Sequence, residues 1–136
     1  MKRDSTTIRV LLTATEVGML LYWVFAAVVA LGMIHVAPAH MYPDHTNPTV
    51  VAWNWSFFPL DVLFAITGLI SRFGSVSSNA RRSLSTVSLS LMFCAGLMAI
   101  SFWVIVQFFD PVWWGLNLWL MVLPFVVMVL RLRAMD

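Results

Sequence analysis

Charge is what this sequence has least of. Asp, Glu, Lys and Arg make up 10% of its 136 residues, against 61% hydrophobic, and mean hydropathy is +0.89. A soluble domain carries about 25% charged residues, so a soluble globular domain is excluded. Cysteine is nearly absent as well. The single Cys94 can form no internal disulfide and no Cys-x-x-Cys pair, which argues against dithiol redox chemistry. No glycine-rich phosphate loop, internal repeat or low-complexity tract occurs.

Four long apolar runs are present, spanning residues 10–34, 50–70, 84–109 and 112–130. Each exceeds the roughly 18 residues expected of a membrane-crossing helix. Together they fill most of the chain and predict a single transmembrane domain, 1–136, folded as an all-α, up-down four-helix bundle. Lys2, Arg3 and Arg9 precede the first run, Arg72, Arg81 and Arg82 separate the second and third, and Arg131 and Arg133 follow the fourth. The other two connections hold no Lys or Arg. By the positive-inside rule both termini and the middle loop face the cytoplasm, so the expected location is the bacterial cytoplasmic membrane, multi-pass. The pI near 9.2 then reflects topology and contact with membrane lipid, not nucleic-acid binding. Lys2-Arg3, an apolar stretch and Ala37-Pro38-Ala39 imitate a signal peptide. The apolar run is too long for an h-region of about 7–15 residues, so it is read as a retained first helix.

The polar residues inside the runs are the informative ones. Asp61 lies in the middle of the second run, where an acid costs roughly 2.5–3.5 kcal/mol on insertion scales. Such a residue calls for a partner or a use. Asn54 is seven residues away, on the same helical face and about 10 Å distant in depth. Gly68, seven further on, continues that face, and Pro59 between Asn54 and Asp61 can kink the helix. Asp61 and Asn54 are therefore expected to line an outward-opening pocket, with Glu16 of the first helix a further acid–base candidate. Its walls are expected from Tyr22, Trp23, Trp53, Trp55, Phe57, Phe58, Gln107, Trp113 and Asn117. Trp53, Trp113 and Trp114 also suit an interfacial aromatic belt, and Trp103 and Trp119 are expected in the core.

The third run is rich in small residues, among them Ser85, Ser88, Ala95, Gly96 and Ala99. Small residues allow close helix approach in lipid. Cys94 is read as one more such packing residue. The connection after the first run holds all three histidines, and His40, Asp44 and His45 are weak candidates for a metal site. A solvated hairpin explains them more simply, and neither a metal nor another cofactor is expected. A homo-oligomer is compatible with so small a bundle, although no GxxxG motif marks an interface.

The segment Trp53-Asn54-Trp55-Ser56-Phe57-Phe58-Pro59-Leu60-Asp61, followed by Ile66-Thr67-Gly68, resembles the signature of the uncharacterised YvaD-like family of small bacterial membrane proteins. Leu21-Tyr22-Trp23 fits it more loosely. The resemblance implies a fold of four membrane helices and a bacterial membrane location, and carries no activity. From the residues themselves three functions are open. One is a cofactor-free cyclase or isomerase of an apolar substrate, with Asp61 as the acid and aromatic faces stabilising positive charge. The second is a proton-coupled carrier or binder of a cationic, lipophilic ligand. The third is a structural subunit of a membrane complex.

Overall fold

In a computed structural model of the chain, which describes residues 5–38, 41–42 and 44–133, the chain forms helices α1 (Thr6–Ala30), α2 (Pro48–Phe73), α3 (Ser78–Ile105) and α4 (Pro111–Arg133). Each is long and apolar enough to cross a membrane. Large apolar side chains point outward along all four, among them Leu21, Phe25, Leu63, Met98 and Leu116. Lipid is the solvent such a surface suits, and the chain is a multi-pass membrane protein.

The helix bounds follow from capping. Ser5, Asn47 and Ser77 accept from the backbone N–H of Ile8, Thr49 and Ala80. Asp110 accepts from both Val112 and Trp113 at 2.9 Å. Prolines 48 and 111 occupy first-turn positions, where the missing N–H costs nothing. α1 and α3 both end in a Schellman motif. Gly32 at φ 72° closes α1, with Met33 N donating to the Val28 carbonyl. Gln107 at φ 55° closes α3, with Phe108 N donating to the Trp103 carbonyl.

The bounds expected from hydropathy shift accordingly. α3 begins six residues earlier than 84, because its first turn is polar and escapes a hydropathy window. α1 and α3 each stop four residues short of the apolar run, because left-handed caps end them while the sequence is still apolar. α2 runs unbroken through Pro59.

Contacts between the helices set an antiparallel, up-down order. Trp23 of α1 meets Asp61 of α2, while Glu16 meets Arg72. Trp53 of α2 stacks on Phe102 of α3 at 3.8 Å, while the Ser88 hydroxyl donates to the Phe64 carbonyl. A Cβ on Gly96 would stand 2.5 Å from the Asn117 carbonyl of α4, so the α3 and α4 backbones touch there. α1 packs on α2, α2 on α3 and α3 on α4, whereas α1 and α4 form no comparable interface. Cys94 turns out to be exposed. The small-residue face of α3 that packs is one face only, Ser85, Ser88, Ala95, Gly96 and Ala99, and Cys94 lies off it.

Candidate functional site

The gap between α1 and α4 is a cavity of about 480 Å³ floored by α2 and α3. Its lining on α2, α3 and α4 lies toward the α1–α2 and α3–α4 connections, and on α1 it runs from Leu11 to Trp23. Asp61, 5% exposed, forms part of its wall. Its Oδ2 accepts a 2.9 Å hydrogen bond from Trp23 Nε1. Its Oδ1 is buried and has no hydrogen-bond partner among the described residues. A buried carboxylate oxygen left in this way is costly, which makes it the conspicuous atom of the molecule.

Around it stand aromatic rings. Trp23 meets Tyr22 edge-on at 5.2 Å and Phe58 at 5.3 Å. Trp53 is held by Phe57, Phe102 and Trp103. Tyr22, Trp23, Trp53, Phe57, Trp103 and Trp113 all contribute to the lining, as do Asn54 and Asn117. The Asn117 amide donates to the Trp113 carbonyl at 2.8 Å, which fixes its rotamer. Tyr42, from the α1–α2 connection, leans over the end of the cavity with its ring 6.2 Å from that of Trp113. Burial holds the Tyr42 hydroxyl above its ordinary pKa, so it remains neutral at physiological pH.

Several expected wall residues lie elsewhere. Gln107 is exposed at the left-handed cap of α3, where its backbone, not its side chain, has the structural role. Trp55 and Phe58 sit behind Trp23, at 5.3 Å each, and support it without lining the cavity. Trp119, expected in the core, is 43% exposed and lines the cavity, whereas Trp103 is buried as expected. α4 lacks a packed neighbour on the α1 side, and that leaves Trp119 uncovered. The loop histidines form no ligand set among the described residues. Asp44 accepts from the Asn47 amide and His45 touches Tyr42, while His40 lies outside the described residues.

Glu16 is not at the cavity either. It is 0% exposed and ion-pairs with Arg72 of α2. The Ser88 hydroxyl of α3 lies 3.3 Å from Glu16 Oε1, and Arg72 Nε donates to Thr13 at 3.1 Å. The carboxylate lies against Gly68, where any Cβ would collide with it and with the Ser88 hydroxyl. Gly68, which continues the face of Asn54 and Asp61, admits a carboxylate. Sequence spacing marks Glu16 and Asp61 as acids inside helices, but only their partners separate them. One is neutralised by a guanidinium and the other faces a cavity.

The family model that matches the chain, over residues 8–135, is described as a family of unknown function, DUF5360. "Uncharacterized protein YvaD" of Bacillus subtilis (strain 168) is 38% identical over 120 residues, covering 88% of this chain and 86% of that protein. No solved structure matches. The chain belongs to the DUF5360 family.

Proposed function

We propose that this DUF5360 member binds a small organic cation with apolar substituents, with Asp61 as its counter-ion, inside one transmembrane domain. The observation that carries this reading is Asp61 Oδ1, buried and without a hydrogen-bond partner in the wall of an aromatic cavity. A cation beside that oxygen would supply the missing interaction. The rings of Tyr22, Trp23 and Trp113 would add cation–π attraction, about 2 kcal/mol where the contact is desolvated. The cavity volume lies in the range of ligand sites, about 300–1,000 Å³. Trp23 Nε1 fixes the carboxylate rotamer, so little ordering is left for the ligand to supply.

Cyclisation or isomerisation of an apolar substrate draws less support from the same geometry. Such a reaction moves a proton on and another off, which a second carboxyl facing the first would serve best. Glu16, the obvious second acid, is ion-paired with Arg72 away from the cavity. A purely structural role would leave the unpartnered oxygen without a reason.

The test is binding of phenyltrimethylammonium to the purified protein in nanodiscs. Asp61→Asn preserves size and the Trp23 contact while removing the charge. It should weaken binding at least tenfold, about 1.4 kcal/mol or more, with thermal stability held. Equal affinity in Asp61→Asn would defeat the proposal. Flux of the same cation into proteoliposomes then separates a carrier from a binder.

A further inference from the structure

The cavity is not enclosed. Two contacts bridge α1 and α4. The Tyr22 and Trp113 rings meet at 6.4 Å, and Trp119 Nε1 donates to Thr15 Oγ1 at 3.0 Å. Along α1 these bridges are seven residues apart, or about 10 Å. Between them along the two helices lie Gly18 of α1 and Leu116 of α4. Both line the cavity, and both are solvent-accessible. A Cβ added to Gly18 would meet nothing within 4 Å. The seam is therefore open where it could have been packed shut.

We propose that this window admits the hydrocarbon chain of a single-chain cationic amphiphile from the bilayer, with the head at Asp61 and the tail between α1 and α4. This rests on the cation site proposed above and specifies its ligand class. Charge complementarity selects the head, because Asp61 is the one carboxylate among the described residues that line the cavity. The window selects the tail. Its surroundings are apolar, with Leu21, Val112 and Leu116 exposed beside it, so a chain passing through it stays in contact with hydrocarbon throughout. The other approach, from the helix connections, is roofed by Tyr42 against Trp113. An amphiphile already dissolved in lipid needs no such approach. The bridges above and below close the seam on both sides of the opening, and a short opening of this kind suits one chain better than the paired chains of a bilayer phospholipid.

The experiment compares two probes on the protein in nanodiscs, dodecyltrimethylammonium and phenyltrimethylammonium, with free concentrations corrected against empty nanodiscs. The wild type should bind the dodecyl probe at least tenfold more tightly. Gly18→Trp, and Gly18→Leu as a smaller plug, should weaken the dodecyl probe at least tenfold, and at least fivefold more than they weaken the phenyl probe. Parallel loss of both probes, or loss of neither, would overturn the window. A Cβ at Gly18 meets nothing within 4 Å, so Gly18→Ala should fold with wild-type thermal stability, and a Gly18→Ala protein that fails to fold would equally contradict the window. Failure of the underlying cation site looks different: neither probe binds the wild type, or Asp61→Asn binds both as well as the wild type does.

Discussion

Two buried acids in one bundle have opposite situations, and the difference lies in single contacts. Glu16 is neutralised by Arg72 and lies in the notch at Gly68. Asp61 has an indole N–H on one oxygen and a cavity beside the other. Removing one member of a buried ion pair leaves the other charge uncompensated, at a cost of about 3–5 kcal/mol. Glu16→Gln should therefore lower thermal stability severely. The double variant Glu16→Leu/Arg72→Met should recover much of the loss, since paired removal of buried charges is often close to neutral. Thermal unfolding of the single and double variants measures this. A Glu16→Gln protein as stable as the wild type would show that the pair does not hold α1 to α2.

At the scale of helices, glycine position decides which seams are tight and which are open. On the α1–α2–α3 side, Gly68 has the Glu16 carboxylate and the Ser88 hydroxyl where a side chain would start. On α4, Gly115 has nothing within 4 Å. Gly68→Ala should destabilise by about 1–3 kcal/mol through overpacking. Gly115→Ala should instead gain up to about 1 kcal/mol from helix propensity. Opposite shifts in melting temperature are the expected reading, and equal shifts would mean that the α1–α2–α3 contact is looser than described. The cavity lies between α1 and α4 because that seam is the loosely packed one. Three of the four seams have interdigitated side chains, whereas the α1–α4 seam has two bridges and a gap.

For the molecule as a whole, polarity is divided between the two ends. Aromatic residues fill the half near the α1–α2 and α3–α4 connections. Arg72, Arg81 and Arg131 mark the opposite end, where Arg81 donates to the Ser71 carbonyl at 3.1 Å and Arg131 to the Ser85 hydroxyl at 2.9 Å. Basic residues are retained on the cytoplasmic side of a membrane, so both termini and the α2–α3 connection are expected inside and the cavity end outside. In a Cys94→Ser background, an impermeant thiol reagent applied to intact cells should label Thr46→Cys and spare Asn79→Cys. The reverse pattern would invert the topology and place the cavity toward the cytoplasm.

Hydrophobicity and charge placement alone determine four membrane helices in up-down order, because in lipid every backbone polar group must be satisfied within its own helix. Each span is thus legible without its neighbours. The same reasoning marks Asp61 and Glu16, since an acid inside an apolar run is costly wherever it ends up. Where each acid ends up depends on rotation about the helix axis and on contacts made 38 to 72 residues away in the chain, and residue spacing within one helix carries no such information. The left-handed cap at Gln107 and the exposure of Trp119 were hidden for the same reason. The first depends on a local backbone turn that hydropathy does not register, the second on a neighbour that α4 lacks. Only the tertiary structure decided that α1 and α4 stand apart, and that separation alone makes Asp61 part of a cavity wall.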